Sequence, residues 1–159
     1  AEIPELAATA KQHGIDDIEL GRRQWLDLLI SLVIQPALPR ECLTFVHDFP
    51  VDQAALAKIR PGTSPLAERF ELYLGGTELA NGYQELTDWV EQKRRFEDEN
   101  AVRQERGEIT CSIDHRLGAA LEHGLPECAG VALGVDRLLM AITGAVSITE
   151  VMAFPNSRA

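Results

Sequence analysis

The sequence has little positive charge, few aromatic residues and no long apolar run. Lys and Arg number 15 against 25 Asp and Glu, which gives a formal net charge of −10, and only 6% of the residues are aromatic. Such an acidic chain disfavours nonspecific attraction to phosphate backbones, so we do not expect it to grip DNA or tRNA. No stretch approaches the roughly 18 consecutive apolar residues that predict a membrane-spanning helix.

Cysteine is also scarce, and an initiator methionine is absent. The three cysteines, Cys42, Cys111 and Cys128, have the spacing of neither a metal site nor a disulfide framework, and we interpret them as inert thiols. The four histidines likewise share no metal-type spacing. The opening AEIPELAATAKQHG lacks the pattern of a signal peptide. We therefore expect a cytoplasmic protein, and the missing methionine suggests a processed or truncated chain.

The chain has enough apolar residues for one core, because 45% of its 159 residues are hydrophobic. We expect one compact unit or part of one. Apolar periodicity predicts helices and strands, and no clean βαβ alternation appears, so we predict an α+β fold with an antiparallel sheet. The predicted helices cover 20–33 (ending at Pro36), 54–59, 88–106 and 114–123. The predicted strands cover 43–49, 69–74, 77–81 and 148–154. A further strand leads into a helix over 129–140.

The pair Gly75-Gly76 predicts a hairpin turn that brings two carboxylates together. A two-residue turn there places Glu71 and Glu78 on one face, roughly 7–8 Å apart at Cα. Carboxylates this close suit a shared Mg²⁺ whose shell is completed by phosphate oxygens. On spacing alone, two solvated glutamates on an exposed sheet face are the favoured alternative.

Asn81, Tyr83 and Glu85 follow at every second residue, so one extended face presents an amide, a ring and a carboxylate. These groups suit the carboxylate, the methylenes and the distant ammonium of a long amine. Strict alternation places them opposite Glu71 and Glu78, and we predict a bulge at Gly82 that turns the face. A polar strand end capped by Asp88 is the alternative.

A third pattern is GVALGVDR, from Gly130 to Arg137. Glycine in a strand lets a planar base or a backbone approach closely, and an arginine at a helix start can hold a polyphosphate. The spacing is not that of a dinucleotide-binding fingerprint. Tight packing of helix on strand explains the glycines equally well.

Together these segments resemble the lysyl branch of the class II aminoacyl-tRNA synthetases, from about Trp25 to Arg158. The resemblance is carried by FELYLGGTELANGYQELTD at 70–88, LEHGLPECAGVALGVDRLLM at 121–140 and VMAFPNSR at 151–158. It implies the C-terminal part of one catalytic domain of the class II synthetase fold over 1–159, with its third motif present and the first two absent. It also implies a homodimeric full-length protein that uses ATP and Mg²⁺.

The resemblance assigns roles to individual residues. Catalysis falls to Arg137 and Glu78. Metal binding falls to Glu71 and Glu78, and ATP binding to these two glutamates together with Gly134 and Arg137. The lysine pocket comprises Asn81, Tyr83, Glu85, Gly130 and Ala132.

Within that family, ELANGYQELTD and SPLAERFELY resemble a paralogous branch that attaches lysine to elongation factor P. Ala132 falls where lysyl-tRNA synthetases commonly have glycine, and its methyl group suits β-lysine rather than α-lysine. The resemblance thus implies lysine or β-lysine as substrate and elongation factor P, rather than tRNA, as acceptor. A lysyl-tRNA synthetase and a non-catalytic interaction module are the alternatives. With two motifs missing, we expect this chain alone to be inactive.

Overall fold

A computed structural model describes residues 1–16 and 18–156. The helices are α1 (Ile3–Gln12), α2 (Arg22–Leu29), α3 (Gln35–Ala37), α4 (Trp89–Glu105), α5 (His115–His123) and α6 (Val135–Thr143). The strands are β1 (Leu43–Pro50), β2 (Ile59–Arg60), β3 (Leu66–Leu74), β4 (Thr77–Gln84) and β5 (Ala129–Leu133). These elements give the α+β fold that the sequence predicted.

The strands form one sheet in the order β1-β3-β4-β5, and β2 pairs with β3. The β2–β3 pair is antiparallel, with Ile59 opposite Ala67. Strands β4 and β5 also run in opposite directions, because Gly134 N donates to Leu79 O and Glu85 N donates to Cys128 O, so the numbering falls along one strand as it rises along the other. The predicted antiparallel sheet is confirmed.

The predicted hairpin is confirmed, with Gly75 and Gly76 joining β3 to β4. Gly75 has a φ of +54°, whereas Gly76 does not have a positive φ. A positive φ at the first central residue alone is the pattern of a type II′ turn, which favours glycine at that position. A Cβ atom at Gly76 would lie 3.2 Å from Gln35 O, so the turn packs closely against the start of α3.

The chain divides into two compact units. The first comprises Ala1–His47, Phe70–Asn81 and Val131–Ala159, and the second comprises Asp48–Arg69 and Gly82–Gly130. The first contains a cluster of buried apolar side chains from α1 and α2, namely Leu6, Ala10, Trp25 and Leu29. The organisation of 1–159 as part of one catalytic domain stays a prediction.

The helix predicted to end at Pro36 continues through that residue to Ala37. Between α2 and α3 the backbone forms a π-helix, Ile30–Ile34, in which Gln35 N donates to Ile30 O. Proline lacks an N–H and its ring collides with the carbonyl four residues earlier in an α-helix. The wider π turn accommodates Pro36 without ending the helix, and it determines where Gln35 lies.

The charged helix α4 is confirmed, and the Asp88 side chain accepts hydrogen bonds from Val90 N and Glu91 N as its cap. Ion pairs cover its surface, and Arg94 and Arg95 lower the pKa of Glu91 to about 2 through their hydrogen bonds. Among its described residues only Gln92 is buried. The prediction of a largely solvated helix is therefore confirmed.

Two predicted elements are wrong. Residues 148–154 form a short 3-10 helix, Ile148–Glu150, followed by irregular chain, because Ser147 accepts a hydrogen bond from Thr149 N and starts a helical turn. Residues 54–59 hold no helix; a 3-10 turn, Val51–Gln53, precedes them and β2 begins at Ile59.

The segment 151–158 ends outside the described residues, since Ser157 and Arg158 are not among them. Within the described part of the chain, no helix combines the length and the apolar character that crossing a membrane requires.

Candidate functional site

The first group of predicted site residues surrounds Tyr73 in the first unit. Glu71 and Tyr73 occupy alternate positions of β3, so their side chains share a face, and they are 9% and 1% exposed. The Tyr73 hydroxyl donates a hydrogen bond to Glu71 Oε2. Gln35 Nε2, at the start of α3, donates to Tyr73 Oη over 3.0 Å. The side chains of Gln35, Tyr73 and Glu71 are therefore linked by consecutive hydrogen bonds, and Tyr73 and Glu71 are buried.

The surroundings of Tyr73, including the two predicted metal ligands, raise the pKa of its hydroxyl. Burial, the hydrogen bond to Glu71 and the charges of Glu71 and Glu78 together raise the pKa of Tyr73 to about 12, against the opposing effect of the hydrogen bond from Gln35. Tyr73 is therefore a neutral hydrogen-bond donor at physiological pH. Because Gly75 and Gly76 are the two residues between β3 and β4, the hairpin register places Glu71 and Glu78 on the same face, as predicted.

Arg137 extends this group, because its Nη1 donates to Glu78 O over 2.9 Å and lies 3.7 Å from Glu78 Oε2. The pairing of β5 with β4 causes this contact. Gly134 N donates to Leu79 O, and the chain then enters α6, in which Arg137 belongs to the first turn. The guanidinium thus lies beside a predicted metal ligand, with about half of its side chain exposed.

The donor set fits a hard divalent cation bound in part by its substrate. Glu71 and Glu78 offer carboxylate oxygens, which are the ligands that Mg²⁺ prefers. Among residues 1–16 and 18–156, no group of three or more His, Cys, Asp or Glu is placed to hold a metal ion. A cation at the two glutamates would therefore need further ligands from outside this group, such as phosphate oxygens.

The second group, in the second unit, contains Tyr83, Glu85 and Gly130. Burial raises the pKa of Tyr83, the charge of Glu85 raises it further and Arg69 opposes both. The Glu85 carboxylate packs directly against Gly130, because a Cβ atom on that glycine would overlap Glu85 Oε1. A ring and a carboxylate thus lie near each other, and the glycine provides the space that the carboxylate occupies.

The backbone at Glu85 is fixed by segments on both sides. Glu85 N donates to Cys128 O over 2.9 Å, and Glu85 forms an antiparallel bridge with Ala57. Arg95 of α4 in turn donates to the carbonyl oxygens of Ala55 and Ala57 over 2.9 Å. These contacts hold the backbone from which the Glu85 side chain projects.

The structure brings together two subsets of the predicted residues. Glu71, Glu78, Gly134 and Arg137 cluster in the first unit, and Tyr83, Glu85 and Gly130 in the second. Asn81, half-buried in β4, and Ala132, exposed on β5, belong to the first unit. Their place in a lysine pocket stays a prediction. The bulge predicted at Gly82 is absent from the pairing of β4 with β5, because 79–85 and 128–134 span equal numbers of residues between the two hydrogen bonds.

Sequence reasoning missed Tyr73, Gln35 and Arg95. A tyrosine in a strand is typical of any sheet core, and Gln35 is separated from Tyr73 by 38 positions, so no local pattern joins them. Arg95 belongs to a helix whose mixed charges indicate a solvated face. Only the tertiary contacts reveal what these side chains support.

Comparisons with known proteins agree on one family. The model of the class II tRNA synthetases (D, K and N) matches residues 27–158. Similar curated proteins include the elongation factor P–(R)-beta-lysine ligases of Klebsiella pneumoniae (48% identical over 100% of this chain), Vibrio cholerae (49% over 99%) and Yersinia enterocolitica (47% over 100%). In each case the match covers 49% of the relative, so the chain spans about half the length of the curated relatives it matches.

Proposed function

Because this chain belongs to the class II tRNA synthetases (D, K and N), we propose that the full-length protein activates a lysine-type amino acid with ATP and transfers it to elongation factor P. The relatives named as elongation factor P–(R)-beta-lysine ligases, at 47–49% identity, support this acceptor and this amino acid. The exposed Ala132 of β5 is the residue at which we expect β-lysine to be preferred to α-lysine.

The observation that carries the proposal is the group formed by Glu71, Glu78 and Arg137. The Glu71 carboxylate accepts a hydrogen bond from the buried Tyr73 hydroxyl, and Arg137 Nη1 lies 3.7 Å from Glu78 Oε2. Glu71 and Glu78 would hold Mg²⁺, which when bound with ATP neutralises charge that develops on the phosphates. Arg137 would contact the terminal phosphate, and Gly134 would leave room for the nucleotide beside it.

The amino acid would lie along Tyr83 and Glu85. The Glu85 carboxylate pairs with the side-chain ammonium, and the neutral Tyr83 ring covers the methylenes between the two ends of the substrate. Asn81 binds the carboxylate end, and Gly130 and Ala132 form the floor. In this arrangement the protein binds and orients the reactants, and no side chain acts as a nucleophile.

The reaction then has two steps. An oxygen of the substrate carboxylate attacks the α-phosphorus of ATP, and pyrophosphate leaves with the electrons of the broken P–O bond. The ε-amino group of a lysine on elongation factor P next attacks the carbonyl of the adenylate, loses a proton and expels AMP, which leaves an amide. The charge of the departing pyrophosphate is what Arg137 would stabilise.

Amino-acid-dependent exchange of pyrophosphate into ATP tests the first step in the full-length protein. We expect exchange with (R)-β-lysine, and a loss of about 100-fold or more in Glu78→Gln, since a fixed charge that stabilises the transition state is removed. The matched control is Glu97→Gln, because Glu97 forms only an exposed ion pair on α4. Equal exchange rates in Glu78→Gln and the parent at saturating Mg²⁺ would show that Glu78 is a solvated surface residue and not a metal ligand.

A further inference from the structure

We propose that Tyr73 is a positioning residue for the predicted metal site: its hydroxyl, oriented by Gln35, fixes the Glu71 carboxylate for cation binding. This inference rests on the proposed function, because it assigns a role within that metal site. It adds two residues, Tyr73 and Gln35, that the sequence patterns did not single out.

The direction of the hydrogen bonds supports the inference. Tyr73 has one hydroxyl proton, and Gln35 Nε2 donates to its oxygen over 3.0 Å. The proton is therefore left for Glu71 Oε2, to which Tyr73 donates. If the Gln35 amide were reversed, its oxygen and the carboxylate would compete for one proton, and a buried acceptor would lose its partner. The orientation of the Gln35 amide thus determines that the Tyr73 hydroxyl donates its proton to Glu71.

Burial makes this bond well suited to holding a carboxylate still. Tyr73 is 1% exposed and is the largest fully buried side chain among the described residues. Because its ring is enclosed, the hydroxyl has little freedom to move, and Glu71 itself is only 9% exposed. A hydrogen bond that fixes one carboxylate oxygen limits the directions in which the carboxylate can face a cation.

The position of Gln35 is also fixed by the fold. The π-helix Ile30–Ile34 directly precedes it, and its backbone packs on the hairpin turn, where a Cβ atom at Gly76 would lie 3.2 Å from Gln35 O. At Gly75 a Cβ atom would lie 3.4 Å from Arg40 Cα. The helix end and the hairpin that carries both glutamates are therefore in close contact at the turn as well as through Tyr73.

A purely structural role is the alternative, in which Tyr73 fills the core and Glu71 merely satisfies its hydroxyl. The two roles predict different effects of removing the hydroxyl alone. Loss of a core contact lowers stability and leaves the affinity for a cation unchanged. Loss of an orienting bond weakens cation binding in a protein that remains folded.

The experiment measures binding of Mn²⁺, as a paramagnetic substitute for Mg²⁺, to the full-length protein with a non-hydrolysable ATP analogue. Electron paramagnetic resonance counts the free ion, and circular dichroism checks folding. Partners of metal ligands typically contribute 10–100-fold to metal affinity. We expect Tyr73→Phe to weaken Mn²⁺ binding by about 10-fold or more, and Gln35→Met to weaken it less. Because Gln35 acts through the hydroxyl, the double variant should bind no more weakly than Tyr73→Phe.

The control is Gln92→Met, which removes another glutamine, 4% exposed on α4, and should leave Mn²⁺ binding unchanged. Folded Tyr73→Phe with the affinity of the parent overturns the inference and leaves the proposed function intact. If Tyr73→Phe does not fold, unchanged binding in Gln35→Met overturns it instead. A parent protein that binds no Mn²⁺ with the ATP analogue contradicts the metal-dependent function itself, and the role of Tyr73 with it.

Discussion

Gly130 shows how a single missing side chain arranges a neighbouring charge. The sequence indicated that a planar base or a backbone can approach this glycine closely, and in the structure the carboxylate of Glu85 lies against it. The atom that a Cβ would meet is at the end of a flexible side chain, which can rotate away. The glycine is therefore needed for the position of Glu85 and not for the fold.

We predict that Gly130→Ala in the full-length protein raises the KM for the lysine-type substrate while the protein stays folded. The methyl group displaces the Glu85 carboxylate from its place, so the pairing with the substrate ammonium is weakened. A hydrogen bond to a charged group contributes about 1.5 kcal/mol or more, which corresponds to roughly 10-fold or more in KM. Steady-state exchange kinetics over a range of substrate concentrations provide the measurement.

Gly134→Ala is the comparison variant for Gly130→Ala, because it is expected to affect ATP rather than the amino acid. A Cβ atom there would meet Arg137 and Leu79 O at ordinary distances of 3.5–3.6 Å, and Gly134 is proposed to adjoin the nucleotide. We expect that variant to raise the KM for ATP and to leave the KM for the amino acid unchanged. The assignment of Glu85 would be contradicted by a Gly130→Ala protein whose amino acid KM equals that of the parent.

The carboxylate pair could be predicted from sequence, whereas its support could not. A two-residue turn sets the register of a hairpin, so the sequence indicated that Glu71 and Glu78 share a face. The hydrogen bonds that hold Glu71 depend on Gln35, whose location depends on a π-helix that no local propensity indicates. The register of a hairpin depends on residues close together in sequence, so it can be predicted. The contact between α3 and the hairpin joins residues far apart in sequence, so it cannot.

Helices α4 and α5 meet where Gly118 packs against Trp89. A Cβ atom on Gly118 would lie 2.7 Å from Trp89 Cζ2, closer than real Cβ atoms approach a rigid ring. Trp89 is the first residue of α4 and follows the Asp88 cap, so the ring position is tied to the start of the helix. The glycine thus permits the close packing of α5 on this end of α4.

We predict that Gly118→Ala lowers the free energy of unfolding by about 1 kcal/mol. Overpacking costs about 1–3 kcal/mol, and the better helix propensity of alanine offsets up to about 1 kcal/mol of it. Chemical denaturation of the full-length protein followed by circular dichroism measures the change.

Gly62→Ala is the matched control, since a Cβ atom there meets nothing within 4 Å, and we expect no destabilisation. Combining Gly118→Ala with Trp89→Phe should recover part of the loss, because the smaller ring lacks the atoms in conflict. Equal stability of Gly118→Ala and the parent would show that the ring can move without cost.

The wrong predictions of secondary structure lie where two sequence features favour different conformations. Residues 148–154 contain β-branched and aromatic residues typical of strands, yet Ser147 caps a helical turn and Phe154 is 80% exposed. Proline favours the end of a helix, whereas a wider turn accommodates Pro36 within one. The glycine turn was predicted correctly, because it depends on backbone conformation within a few residues.

The curated relatives extend well beyond the region they share with this chain, which corresponds to about half of each. Large apolar side chains are exposed on and after α6, among them Ile142 at 73% and Val146 at 90%. Such exposure is consistent with a chain that is part of a larger protein. Our expectation that this chain alone is inactive, and that the full-length protein is a homodimer, stays a prediction.

The net charge of −10 bears on the choice of acceptor. Nucleic-acid binding draws much of its affinity from basic side chains that neutralise phosphates, and this chain has an excess of acidic ones. A protein acceptor does not impose that requirement. The acidic charge of this chain is in keeping with the proposed transfer to elongation factor P, which stays a prediction for the full-length protein.

The most direct test offers both acceptors to the full-length protein with ATP, Mg²⁺ and (R)-β-lysine. Mass spectrometry of elongation factor P and acid-gel analysis of lysine tRNA then identify which one receives the amino acid. We predict that a lysine of elongation factor P gains one β-lysyl group and that the tRNA stays uncharged. Charged tRNA together with unmodified elongation factor P would contradict the proposed function and identify the protein as a lysyl-tRNA synthetase.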